Sequence, residues 1–231
     1  MPATRVLAIV AHPDDTAYFM GGTLALWAMQ GEEIALLVAT NGDIGTSDPD
    51  ARREDVALVR QQEEQASAAK LGIASVQFLG QPDAELQASA ELVAELTAGI
   101  RAWRPSRVVT LDPTCLVWRD RINHADHRAL GDATVRAVFP AATSPLAYPE
   151  LLSRGLGPHA VGEIWLAGSD VPNHGVDITE TFETKLAALA CHRSQIKNPA
   201  TLRGKVARDH EVIDRFGRRR YAEKYRVVRL D

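Results

Sequence analysis

Short apolar runs separated by longer helical patterns constrain this chain more than any other feature. Val6 to Ala11 is continuously apolar and stops at a proline-containing turn. Ile34 to Ala39 is a second such run, closed by Thr40-Asn41-Gly42-Asp43. Val76 to Leu79 and Val108 to Leu111 follow, the latter closed by Asp112-Pro113. Runs of this length read as strands buried on both faces. Between them, Gly21 to Met29, Arg52 to Leu71 and Ser89 to Trp103 carry helical patterns, with Gly31, Gly72 and Arg104-Pro105 as stops. Strictly alternating strands and helices predict a parallel sheet with helices on both faces, because each parallel connection must cross back over the sheet. The expected fold class is α/β, a Rossmann-like, mostly parallel sheet.

The second half is less regular. Ala125 to Phe139 reads as a helix, Glu163 to Ala167 and Val176 to Ile178 as strands, Thr181 to Gln195 as a helix and Tyr225 to Leu230 as a last strand. Pro140 to Pro158 is rich in proline and glycine and reads as a flexible rim or lid. No repeat or linker interrupts the 231 residues, so a single domain over 1–231 is expected.

Composition excludes several classes of function. A net charge of -4 and 6% aromatic residues give no support for a nucleic-acid partner. Cys115 and Cys191 form no CxxC pair, which argues against a disulfide scaffold and fits a reducing compartment. The first apolar run is too short for a signal segment, and no stretch of about 18 apolar residues occurs. A soluble, cytoplasmic protein with no membrane partner is expected.

Two clusters carry chemistry. Ala11-His12-Pro13-Asp14-Asp15 follows the first predicted strand, and Asn123-His124-Ala125-Asp126-His127 follows the fourth. In an open α/β sheet, ligands bind at the carboxyl edge of the strands. A lone histidine after a strand is usually a polar turn residue, and paired aspartates often cap a helix. Two clusters at one sheet edge point instead to a metal. Two histidines and an aspartate with an open fourth position suit catalytic Zn2+, and such a set also accepts Fe2+. His12 and Asp15 lie three apart, within reach of one ion through a tight turn. His127 would close the set from across the edge.

These two motifs resemble those of the LmbE/PIG-L family of zinc-dependent N-acetylglucosamine-conjugate deacetylases, which includes enzymes of mycothiol, bacillithiol and GPI-anchor synthesis. Further matches are Gly21-Gly22-Thr23-Leu24, the Thr40 to Asp43 turn, Arg60 through Glu63 to Leu71-Gly72-Ile73, Phe78-Leu79-Gly80 with Asp83, and Lys185 to His192-Arg193-Ser194-Gln195. The resemblance implies an LmbE-like fold and zinc ligands His12, Asp15 and His127. It makes Asp14 the general base, His124 the oxyanion or leaving-group histidine, and Asp126 the carboxylate that orients His124. Arg60 and Asp83 match positions that contact substrate. The implied substrate is a small acylated amine or amino-sugar conjugate, and homo-oligomers are common among such proteins.

Two departures bear on the substrate. Thr16 stands where many family members have Glu, and Ala125 where Pro is usual. The segment Trp118-Arg119-Asp120-Arg121 before the second motif is unusually charged. A zinc amidase acting on a non-sugar N-acyl substrate and a non-catalytic metal-binding module are the alternatives to an amino-sugar deacetylase.

Overall fold

The computed structural model describes residues 4–118 and 121–230, so Arg119 and Asp120 of the charged segment lie outside the described residues. The first four strands are β1 (Arg5–Val10), β2 (Glu33–Thr40), β3 (Ser75–Gln81) and β4 (Arg107–Leu111). A small hairpin follows, β5 (Val117–Trp118) with β6 (Arg121–Ile122). β7 (Glu163–Ala167), β8 (His174–Asp177), β9 (Glu211–Ile213) and β10 (Arg219–Arg229) complete the strands. The main sheet runs β3-β2-β1-β4-β7-β10-β8, with β9 paired to β10. β1, β2, β3, β4 and β7 are mutually parallel, and β10 is antiparallel to β7 and β8. The result is a mostly parallel mixed sheet of the expected class.

The chain steps outward from β1 to β3, then returns to place β4 on β1's other side. The order therefore reverses between β1 and β4, which opens a crevice beyond their carboxyl ends. Both His/Asp clusters sit there.

Helices α1 (Gly21–Met29), α2 (Arg53–Leu71) and α3 (Ala90–Trp103) alternate with the first strands. α4 (Ala125–Arg136) follows the second cluster, then come the short α5 (Glu150–Ser153), α6 (Phe182–Leu189) and α7 (Pro199–His210). α1, α2 and α6 pack together on one side, while α3 packs with α4. Some helix ends have a clear local cause. Ser89 caps α3 by accepting from Leu92 N, and Gly72 at φ 77° closes α2. Val6 to Val10 of β1 are buried and belong to one apolar cluster with residues of β2, β4, β7 and the flanking helices.

The second half departs from expectation in several places, among them the helix expected over Thr181 to Gln195, which ends at Leu189. α7 and β9 carry almost no buried apolar residues, Val206 apart, so no apolar stripe announces them. β10 is longer than the expected Tyr225 to Leu230, because it begins in the Arg218-Arg219-Arg220 run. Its inward side chains include a charged one, Glu223, which breaks the alternation.

That glutamate is fully buried and meets Lys185 Nζ at 2.6 Å. It also accepts from the backbone N–H groups of Gly22 and Thr23 at 2.9 and 2.8 Å, where the positive end of the α1 dipole favours an anion. Lys185 donates to the carbonyls of Ala17 and Tyr18 as well. Three distant segments are thereby stitched beneath the first cluster. Gly22 is required at this junction, since a Cβ there would lie 2.6–2.9 Å from Ile178.

Pro140 to Pro158 is not built as a lid. Arg101, from α3, is buried and reaches into the segment. Its Nη2 lies 2.6, 2.9 and 3.0 Å from the carbonyl oxygens of Ser144, Ala141 and Ala147, with Ala142 and Leu156 accepting more weakly. None of these residues lines the crevice between β1 and β4.

Candidate functional site

β1 ends at Val10, and residues 11–15 turn sharply beyond the sheet edge. Asp15 N bonds back to His12 O, and the Asp15 carboxylate accepts from His12 N at 2.8 Å. This small loop forces both side chains to the same side. Thr16–Met20 then continues as a π-helical turn into α1, a geometry frequent at functional sites. From the far side, His124 caps the start of α4 and His127 projects from its first turn.

The two clusters converge. His12 Nδ1 lies 3.2 Å from His127 Nε2 and 3.4 Å from Asp15 Oδ2, and His127 Nε2 lies 3.2 Å from Asp15 Oδ1. Ligand atoms about 2.0–2.1 Å from a tetrahedral zinc ion stand roughly 3.3–3.4 Å apart, so this spacing fits one cation.

The tautomers agree. His127 Nδ1 lies 2.9 Å from Asn123 Oδ1 and donates to it, which leaves the Nε2 lone pair free. His12 Nε2 lies 3.1 Å from Asp83 Oδ1 and 3.3 Å from Asp126 Oδ2, which leaves Nδ1 free. Two imidazole lone pairs and a carboxylate aimed at one point repel unless a cation sits among them. Outer partners of this kind commonly orient metal-binding histidines. The described residues contain two groups that could hold a metal, His12/Asp15/His127 and His12/Asp83/His124. In the second, the carboxylates meet the ring nitrogen that carries the proton, so it supports the first.

Electrostatics point the same way. Burial opposes a proton on His12, yet hydrogen bonds to Asp126, Asp15 and Asp83 outweigh it and push its pKa up to about 12. Asp15 is likewise opposed by burial but held well below the usual carboxylate range by His127 and His12. The pocket is strongly cation-seeking. Burial, with Asp15 adding to it, raises Asp14 to about 7, while Arg60 partly offsets both. A carboxylate near neutrality suits a general base.

Several expected roles take a different form. Asp126 does not orient His124 through its carboxylate, which stands 4.0 Å from His124 Nδ1 and instead holds His12 and the backbone N–H groups of Ala84 and Leu86. His124 Nδ1 accepts from Asp126 N, so the neutral ring directs Nε2–H outward. Burial and the charge of His12 lower the His124 pKa, which favours that neutral donor. Arg60 and Asp83 are both buried, about 5% exposed, and stand behind the cleft, not in it. Arg60 donates to Gly42 O and Pro13 O and lies 3.4 Å from Asp14 Oδ2. Asp83 is committed to His12.

The sequence assigned no part to Asn123, although its position beside the histidines marked it. Glu64 is one of many charges on α2 and carries no distinguishing signal in the sequence, but it is fully buried and accepts from Asp14 N at 2.9 Å. A cleft of ≈ 310 Å³ opens over Asp14, Asp15, His124 and His127, walled by Tyr18, Phe19, Ile122, Leu189 and Ile196.

Comparison with known proteins decides the family. The pattern of the PIG-L family, described as GlcNAc-PI de-N-acetylase, matches residues 7–138. The chain belongs to this family. It is accordingly a deacetylase, a hydrolase of linear amides. Among its PIG-L relatives, the diacetylchitobiose deacetylase of Thermococcus kodakarensis is 35% identical over 191 residues, covering 83% of this chain and 70% of the relative. A probable N-acetyl-alpha-D-glucosaminyl L-malate deacetylase of Bacillus cereus is 34% identical, covering 83% of each chain. The structure of N,N'-diacetylchitobiose deacetylase from Pyrococcus horikoshii, complexed with its inhibitor MPG, superposes with a TM-score of 0.87 at 32% identity, covering 99% of this chain and 85% of that one.

Proposed function

We propose that this chain removes the acetyl group from an N-acetylglucosaminyl conjugate, with a zinc ion held by His12, Asp15 and His127. The observation that carries the reading is the convergence of His12 Nδ1, His127 Nε2 and Asp15 within 3.2–3.4 Å, each imidazole held in the tautomer that frees its lone pair. When bound, such an ion supplies Lewis acidity, which acidifies water and polarises an amide carbonyl. Asp14, raised toward neutrality and open to the cleft, takes the proton of the attacking water and passes it to the departing nitrogen. His124 Nε2–H donates to the carbonyl oxygen as negative charge gathers there, a contribution typically worth about 2.7–4 kcal/mol. Arg60 holds Pro13 and flanks Asp14, and Asp83 and Asp126 keep His12 in its working tautomer. The amino-sugar substrate is supported by the activities of the relatives above.

Metal analysis of the purified protein should find about one divalent ion per chain. Acetate release should be seen with N,N'-diacetylchitobiose or another N-acetylglucosaminyl conjugate. Asp14→Asn should lose at least 100-fold in kcat while keeping its metal. An Asp14→Asn enzyme with near wild-type turnover refutes the base assignment, and metal retained by His127→Ala at full affinity refutes the ligand set.

A further inference from the structure

Asp14 has a backbone that its side chain does not favour. Its φ is 108°, in the region that L-residues avoid. Such a conformation is unfavourable and persists only where the surroundings impose it. The surroundings here are two residues of α2. The peptide unit joining Pro13 to Asp14 is gripped at both ends, with its carbonyl accepting from Arg60 Nη2 at 2.6 Å and its N–H donating to Glu64 Oε2 at 2.9 Å. Arg60 and Glu64 stand four apart, hence one above the other on a single helix face. That face is buried, with Ser67 and Leu71 continuing it.

Glu64 is an expensive way to hold one N–H. It is wholly buried, its Oε1 makes no well-formed hydrogen bond, and the Thr16 hydroxyl lies near its carboxylate. Behind it lies His192, just past α6 and also wholly buried, with Nε2 3.5 Å from Glu64 Oε2 and neither ring nitrogen hydrogen-bonded. An apolar pair of the same volume would suit such a place better on stability grounds alone. Glu64 neither lines the cleft nor belongs to the candidate metal groups.

We propose that Glu64, backed by His192, is a positioning residue that locks the Pro13–Asp14 peptide so that the Asp14 carboxylate faces the cleft. The inference rests on the reading of Asp14 as the base. Glu64 touches no substrate, and its effect runs through the Asp14 main chain. The acceptor oxygen matters, not the negative charge. A glutamine should therefore serve in its place, and a leucine should not.

The test compares Glu64→Leu and Glu64→Gln for metal content, for kcat and KM on N,N'-diacetylchitobiose, and for Asp14 φ in crystals of the metal-loaded proteins. Glu64→Leu should keep one metal per chain and a KM within about threefold, lose at least 30-fold in kcat, and relax Asp14 to negative φ. Glu64→Gln should regain most of the lost kcat and keep φ near the wild-type value. The proposal is overturned if Asp14 keeps its positive φ in Glu64→Leu, if Gln is no better than Leu, or if kcat falls only together with metal content. Should the wild-type protein fail to hydrolyse the disaccharide, the substrate reading falls, while the φ comparison still decides the role of Glu64.

Discussion

Replacing Arg101 with methionine should destabilise the protein severely while leaving the cleft intact. Arg101 is about 2% exposed, and its guanidinium is the donor for five backbone carbonyls between Ala141 and Leu156. Hydrogen bonds from a charged donor contribute about 1.5–3 kcal/mol each. The three shortest would alone sum to roughly 4–9 kcal/mol, but carbonyls in a surface segment recover water when released, and the variant is spared the burial of a charge. A net loss of about 3–5 kcal/mol results, comparable to breaking a buried ionic contact. For a chain of this size, each kcal/mol corresponds to roughly 2–4 °C, so Tm should fall by roughly 6–20 °C. Urea unfolding followed by far-UV circular dichroism measures the free energy, and limited proteolysis should newly cut between Pro140 and Pro158. Metal content should not change, because that segment lines no part of the cleft. A loss under about 1 kcal/mol, or a loss of metal, would refute the view of Arg101 as the anchor of this segment.

Three other measurements probe the scaffold. Lys185→Met should cost about 3–5 kcal/mol by leaving Glu223 buried without its partner, and Lys185→Met with Glu223→Gln should cost less than the single change; a double-mutant cycle in urea reads the difference. Gly22→Ala should cost about 1–3 kcal/mol through its clash with Ile178, and Ile178→Val should relieve part of that, as thermal unfolding would show. Burial, with the charge of Lys185 adding to it, lowers the His210 pKa to about 4, against 6.5 in the unfolded chain. The unfolded chain therefore binds the extra proton first, and stability is lost as pH falls from about 6.5 toward 4. By pH 5 the loss should be about 1–2 kcal/mol, and comparison of wild type with His210→Gln at pH 7 and pH 5 isolates it.

The first half of the fold was legible because β1, β2 and β4 are buried on both faces and strong stop signals separate the strands, while β3, expected to be buried as well, is the half-exposed edge strand of the sheet. Gly21 to Met29 reads as a helix from its residues and is one. The two His/Asp clusters were legible too, since their places after the first and fourth strands bring them to one sheet edge. What lay beyond reach was direction. Spacing says that Asp126 neighbours His124, but only the turn into α4 swings its carboxylate toward His12. Glu64 reads as one more charge on a polar helix until α6 and the first cluster close over it. Pro140 to Pro158 reads as loose because its anchor, Arg101, sits some forty residues earlier on another element. β10 and α7 were obscured by their own charge, whose partners come from elsewhere in the chain.

The clasp between Glu223 and the start of α1 also sets an order of events during synthesis. The loop bearing His12 to Asp15 leaves the ribosome early, yet the carboxylate that caps the helix beneath it is made some two hundred residues later. At about 5–20 residues per second, that gap is roughly 10–40 s. Throughout it, the loop that carries His12 to Asp15 rests on an unfinished foundation, and its final geometry must wait for the arrival of β10.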